Sequence, residues 1–249
     1  MDFRFLHFYP DLMSLYGSYG NLAALKRFLE RLGHSVTIAP VPLGGPADLD
    51  KTDFLFMGAG TERAQKAALA EFRAFAPDLK RRAEAGAVML FAGNAMELLG
   101  ASITCRLSGG TETVYDGLGL FPFATVQEPK RITGDVYGHT GLYPEAVVGF
   151  MNKCGLISGV ETPLLETTDM GWGNEAQGGP EGFHWNNVFA SELTGPILVK
   201  NPRLLEAVAA ALLRQRGASL PENPPKDGYA EAAYTVTEEE LRKRMAKQA

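Results

Sequence analysis

Val88-Met89-Leu90-Phe91-Ala92-Gly93-Asn94-Ala95-Met96-Glu97-Leu98-Leu99-Gly100 is the stretch on which the fold turns. Ala87–Phe91 is apolar without alternation, as a strand covered on both faces must be. Small residues then make a tight turn, and Met96–Leu99 opens a helix. A strand that turns sharply into a helix holds one residue at the corner in a strained conformation, at a helix end that would lower the pKa of a thiol placed there. The corner residue here is Gly93, which takes such a turn without strain and carries no reactive group.

Outward from this corner the same unit repeats. Phe3–Phe8 reads as a first strand, closed by Tyr9-Pro10-Asp11. Asn21 is placed to cap a helix with apolar residues at Leu22, Leu25, Phe28, Leu29 and Leu32, which Gly33 stops. Ser35–Val41 alternates as a second strand. Asp53–Met57 is a short buried strand that breaks at Gly58-Ala59-Gly60, and one or two helices follow from Thr61 to about Ala85, interrupted at Pro77. Alternating strands and helices of this kind build a mostly parallel, flavodoxin-like sheet with helices on both faces. Ligands then bind at the carboxyl ends of the strands, here the loops Tyr9–Asn21, Gly58–Gln65 and Ala92–Ala95. Ser108 to about Phe189 is richer in Gly, Thr and aromatics and predicts an antiparallel extension, with strands near Gly119–Thr125, Ile132–Tyr137, Val147–Phe150 and Phe183–Phe189. Residues 1–216, ending in a helix over about Leu204–Arg216, read as one domain. Residues 217–249 read as a proline-bearing connector and a helix that starts at the capping-box pattern Thr237-Glu238-Glu239-Glu240.

The 249 residues carry a net charge of −5 and are 45% hydrophobic, which argues against a nucleic-acid footprint or an anionic-membrane surface. Nothing reads as a signal peptide or membrane span, so a cytoplasmic protein is expected, without membrane insertion. The two cysteines, Cys105 and Cys154, have no metal-ligand spacing, and neither a metal nor a cofactor is expected.

Several short motifs then recur in a fixed order. They include Tyr9-Pro10-Asp11, Leu15-Tyr16-Gly17, Gly20-Asn21-Leu22, Phe56–Gln65, Ala87–Gly100, Ile132-Thr133-Gly134-Asp135, Val148-Gly149-Phe150, Gly171-Trp172-Gly173-Asn174, Glu181–Asn187 and Gly195–Pro202. The collinear series, from about Phe3 to about Leu213, resembles the GatD-type glutamine amidotransferase subunits of lipid II isoglutaminyl synthase, in the cobyric acid synthase-like branch of the class I amidotransferases. The resemblance implies a glutaminase in which an elbow cysteine attacks glutamine, a histidine activates it and backbone N–H groups hold the oxyanion. It also implies a Mur-ligase-like (MurT-type) partner that uses the ammonia to amidate lipid II in peptidoglycan synthesis.

Matched residue by residue, the chemistry is missing. The elbow pattern Cys-Gly-Gly-aromatic-Gln-x-Leu-Gly falls on Gly93–Gly100, so Gly93 takes the nucleophile position and Glu97 replaces a glutamine. The run Tyr-Leu-His-Gly-Pro falls on Glu192–Pro196, so Thr194 takes the base position. The pocket loop Gly-Phe-Glu-Asn-His-Gly-Gly-Arg falls on Gly149–Leu156 and loses its acid, histidine and arginine. Gly58, Ala59, Gly60, Asn94, Glu97, Asn152 and Lys153 remain as substrate-binding or oxyanion positions, with Asn94 and Ala95 N–H groups at a helix N-terminus. Cys154, read as an exposed loop thiol that Lys153 could ionise, is the candidate substitute nucleophile; Cys105 is too far along the chain. His7, His34, His139 and His184 read as structural or solvated. The expectation is a catalytically silent, structural or regulatory relative. The alternatives are an active glutaminase with a non-standard nucleophile, and a small-ligand binding protein.

Overall fold

A computed structural model describes residues 1–248. The first half builds β1 (Asp2–Phe8), α1 (Gly20–Arg31), β2 (Ser35–Val41), β3 (Phe54–Met57), α2 (Glu62–Phe72), α3 (Ala76–Glu84) and β4 (Val88–Ala92). Then come β5 (Ser102–Arg106), β6 (Glu112–Asp116), β7 (Ala124–His139), β8 (Val147–Ser158) and β9 (Thr167–Met170). The chain closes with β10 (Phe183–Trp185), β11 (Val188–Ser191), β12 (Leu193–Thr194), α4 (Ile197–Lys200), α5 (Pro202–Gln215) and α6 (Gly228–Gln248).

The main sheet has the order β10-β11-β4-β3-β1-β2, parallel throughout except for the β10–β11 hairpin. Its two faces are covered by different helices. Leu22, Leu25 and Leu29 of α1 and Leu204, Val208 and Leu212 of α5 pack on Phe3, Phe5, Phe54 and Leu90. Leu69 and Phe72 of α2 and Leu79 of α3 pack on Phe8, Leu55, Met89 and Phe91. This two-sided burial is why β3 and β4 are apolar at every position, and it bears out the α/β reading.

Between β4 and β11 the chain makes most of a second sheet, β12-β8-β7-β5-β6 with β9 on β7, which β12 completes after β11. It is antiparallel apart from β5 against β7. The longest strand, β7, slips register against β8 between Gln127 and Ile132.

Several local expectations change. Asn21 lies inside α1 instead of capping it: its Oδ1 accepts from Leu198 N at 2.9 Å, and its Nδ2 donates to Ser18 O at 3.0 Å. Gly119–Thr125 is mainly loop, with β7 entered only at Ala124. The segment expected to open a helix at Met96 is a seven-residue 3-10 helix, Gly93–Leu99, that runs straight into β5. The C-terminal helix starts at Gly228, where Asp227 Oδ1 accepts from Tyr229 N and Ala230 N, and Thr237 sits within it, bonding back to Ala233 O. That helix packs on the second sheet, with Tyr234 and Leu241 against Tyr137, Ala146 and Val148. Tyr234 OH donates to Ala146 O at 2.8 Å.

Asn21→Ala should orphan the buried Leu198 N–H at the α1–α4 junction, while Ser18 O keeps the Asn21 backbone N–H as its donor. At about 1–3 kcal/mol for that unpaired group and about 1 kcal/mol for the lost Asn21–Ser18 side-chain bond, urea unfolding should register a loss of about 2 kcal/mol or more, whereas a simple cap would lose about 1 kcal/mol.

Candidate functional site

Parallel pairing of β3 with β4 puts Met57 beside Phe91, so the turns that leave these strands meet. Gly93 adopts φ of +64° and points its missing side chain at Ala59: a Cβ built on Gly93 would lie 2.6 Å from Ala59 Cβ. Real Cβ atoms do not approach so closely. Asn94 then ties the two turns together, its Oδ1 accepting from Gly60 N and its Nδ2 donating to Gly60 O, both at 2.9 Å. Gly58 carries no substituent because Ser18 Oγ would sit 2.1 Å from it. The Gly60 N–H, one of the expected oxyanion donors, is therefore occupied from within. With only a short 3-10 helix after the turn, the anion-binding helix end expected at Asn94 and Ala95 is not built.

The crevice above Gly93 has a volume of about 10 Å³, room for at most one water. Tyr16, Glu62, Arg131, Asn152, Cys154 and Thr194 are among its walls. Arg131 spans the mouth, with Nη1 to Glu62 Oε1 at 2.5 Å and Nε to Asn152 Oδ1 at 2.7 Å. Asn152 Nδ2 donates to Tyr16 OH at 3.0 Å, and Tyr16 itself has a left-handed φ of 59°.

Beneath this lid lies a buried polar floor. Glu97 Oε2 accepts from Gln65 Nε2 at 2.9 Å and from Gln127 Nε2 at 2.5 Å. Gly155 leaves the room, since a Cβ there would lie 2.5 Å from Glu97 Oε1. Glu192 is within hydrogen-bonding reach of Glu97. Burial, then the Glu192 charge, push the Glu97 carboxyl up to about 8, so it is neutral at pH 7 and can donate to Glu192. Lys153 Nζ gives hydrogen bonds to Gly173 O at 2.8 Å and Asn174 O at 3.1 Å and meets Glu192 Oε2 as a charge at 3.0 Å. Glu181 completes the cluster, holding Ser191 Oγ and Glu192 N, and burial raises it to about 7.

The sequence-predicted positions thus converge, but in altered roles. Thr194 Oγ1 donates to Phe150 O at 3.0 Å, a backbone contact between β12 and β8. The expected pocket loop, Gly149–Leu156, is strand β8, so Cys154 is a buried strand residue and not an exposed loop thiol. Its Sγ lies 3.4 Å from Glu62 Oε1, and burial followed by the Glu97 and Glu62 charges drive its pKa well above the usual thiol range. Lys153 does not ionise it, being committed to Glu192. Cys105, on β5, contacts Gln127 Oε1 at 3.1 Å.

None of the four histidines lines the crevice. His7 is buried beside Ser14 and lowered to about 4 by burial, against Asp11. His184 stacks on Phe189, His34 stands edge-on to Phe3, and His139, at the end of β7, pairs with Asp169. Among the described residues no group of His, Cys, Asp and Glu could hold a metal, and no helix is long and apolar enough to cross a membrane. The sequence reading missed the Gln65–Gln127 pair and Arg131; only the Glu97 substitution hinted at a changed floor.

Comparison with known proteins agrees with this framework. The CobB/CobQ-like glutamine amidotransferase domain matches residues 4–202. The GatD subunit of lipid II isoglutaminyl synthase (glutamine-hydrolyzing) from Staphylococcus aureus strain N315 is 29% identical over 211 residues, 85% of this chain and 84% of that one. Its Streptococcus pneumoniae strain R6 counterpart is 30% identical over 213 residues, 84% of this chain and 80% of that one. The solved structure of PurLQS from Thermotoga maritima superposes with a TM-score of 0.50 at 14% identity, covering 86% of this chain and 97% of that one, a likeness of fold.

A raised carboxyl pKa means the native state binds the proton more tightly than the unfolded chain, so stability is complete below about 4.5 and is lost as pH rises through about 8. Glu97→Gln keeps a neutral donor toward Glu192. Thermal melts from pH 5 to pH 8.5, roughly the window of that linkage, should show the variant gaining on the parent as pH rises, with the slope from Glu181 remaining.

Proposed function

The chain belongs to the CobB/CobQ-like glutamine amidotransferase domain family, and on that premise we propose that it is a GatD-type subunit of lipid II amidation whose own glutaminase centre is closed. It serves as a structural or regulatory partner of a Mur-ligase-like subunit. The observation that carries this reading is the contact between Ala59 and Gly93. A thiol needs a Cβ at the elbow, and the Ala59 methyl group lies 2.6 Å from that point. The reading gains support from the rest of the constellation. Glutamine hydrolysis needs a nucleophile, a base to take its proton and free N–H donors for the oxyanion. Here the corner is a glycine, Thr194 is bonded to a backbone carbonyl, the Gly60 N–H is bonded to Asn94, and the crevice is too small for a carboxamide.

Lipid II amidation rests on the two GatD relatives, which span most of this chain's length. Their names make each a subunit, which is the ground for a ligase-type partner here. Cys154, the one thiol at the crevice, is held protonated beside Glu62, whose negative charge opposes a thiolate, and it faces no histidine.

The purified chain, alone and with a Mur-ligase-like partner, should release no ammonia from glutamine. Diazo-oxo-norleucine should leave Cys154 unlabelled in intact-mass spectra. Ammonia release abolished by Cys154→Ser would overturn the proposal.

A second expectation follows from the steric clash. Gly93→Cys alone should lose about 1–3 kcal/mol, through overpacking and the left-handed backbone. Ala59→Gly should recover the overpacking part of that loss in the double variant and leave the backbone part, as read by urea unfolding.

A further inference from the structure

A cavity much larger than the crevice over Gly93 is also present. It lies next door, about 550 Å³ in volume, between α2, the β5–β6 hairpin and the irregular part of β7. The two share a wall in Glu62, Arg131 and Cys154. Six charged side chains line the larger cavity: Arg63, Lys66, Arg106 and Arg131 against Glu62 and Glu128. Both acids are already matched, Glu62 to Arg131 at 2.5 Å and Glu128 to Arg106 at 2.6 Å. Arg63 and Lys66, three residues apart on α2, have no carboxylate within 4.0 Å among the described residues. Lys66 is also half-buried, and its ammonium is held by neutral acceptors, Gln65 Oε1 at 2.5 Å and Gln127 Oε1 at 2.8 Å. Lys66 is thus a partly desolvated cation with no carboxylate in direct contact; the nearest acid, Glu97, lies behind the Gln65 and Gln127 amides.

The other walls are apolar. Leu107, Tyr115 and Pro129 are all exposed to the cavity side, and Lys66 Nζ lies 5.6 Å from the Tyr115 ring centre. We propose that this cavity binds a phosphate monoester of a small organic molecule. The dianion sits between Arg63 and Lys66, and the flat or apolar body lies on Tyr115, Leu107 and Pro129. Two unmatched cations favour a group that carries close to two negative charges at pH 7. A single carboxylate would leave one cation unneutralised, and a zwitterionic amino acid would bring a further positive charge. The arginine offers a planar fork to phosphate oxygens and the lysine a point charge. The phosphate-holding pair, Arg63 and Lys66, is not part of the crevice over Gly93, so the proposal does not depend on the glutaminase reading.

Phenyl phosphate is the probe, titrated calorimetrically into the full-length protein with benzoate and glutamine as comparison ligands. Saturable binding of phenyl phosphate is expected, at least about tenfold tighter than benzoate, with no heat from glutamine. Each lost charge-assisted contact should weaken it about tenfold or more. Lys66→Met tests the floor. Arg63→Gln tests the rim, at an exposed residue that holds no other bond among the described residues, so a loss there is not a folding defect. Absence of phenyl phosphate binding up to roughly 10 mM, or affinity unchanged in both variants, would refute the site. Glutamine binding as tightly as the phosphate would also refute it and make the cavity an amino-acid pocket.

Discussion

Two turns that leave neighbouring parallel strands have to share one small volume, and the rest of this end of the molecule is arranged around how they do so. β3 and β4 finish side by side, and neither Gly58–Gly60 nor Gly93–Ala95 has freedom to move away, because the strands beneath them are buried on both faces. The space is divided in favour of the first turn: Ala59 keeps its methyl group and Gly93 gives up its side chain. Asn94 then fixes the spacing with a reciprocal pair of hydrogen bonds to Gly60. With the corner set in this way, the chain enters β5 after only two turns of 3-10 helix, and Glu97 is delivered to the floor between Gln65 and Gln127.

The main sheet was legible in the sequence because its signals are local. Phe54–Met57 and Val88–Ala92 are apolar without alternation, α1 carries its leucines on one face, and Gly33 ends it with φ of +82°. The elbow and the Gly93, Ala59 and Thr194 positions were legible through motif order. What failed were features decided by partners distant in the chain. Asn21 has the composition of a cap, but the backbone of Leu198 claims it. Thr237 has a capping-box neighbourhood, but the helix had already begun at Asp227. Gly149–Leu156 matches the family's pocket-loop motif, and pairing with β7 makes it a strand. Arg131 lies in the register slip of β7 between Gln127 and Ile132, where Pro129 is the one local sign of an irregular strand, and nothing local says which partners the slip brings to it.

The floor of the site shows how an unusual number of buried charges is tolerated. Three carboxylates, Glu97, Glu181 and Glu192, and one ammonium, Lys153, are essentially inaccessible to solvent. Ionising all of them would leave an uncompensated excess of negative charge in a medium of low polarity, which is costly. The arrangement avoids this by keeping Glu97 protonated, by giving Glu181 the Ser191 hydroxyl and the Glu192 N–H as donors, and by setting the Lys153 ammonium against Glu192. A neutral Glu97 presents to its surroundings much what a glutamine would, which is why the surrounding framework can persist with the acid in place.

The order of strands carries a consequence for how the chain is made. In the main sheet β4 lies between β3 and β11, yet everything from Ala92 to Val188, including nearly all of the second sheet, is synthesised in between. At roughly 5–20 residues per second, the free edge of β4 waits on the order of ten seconds on the ribosome for its last parallel neighbour. Its five apolar residues form the kind of strand that pairs with whatever edge it meets. The nascent chain therefore depends on early covering of that edge, by the second sheet as it emerges or by a chaperone, and slow translation beyond Ser102 is where aggregation of this protein would begin.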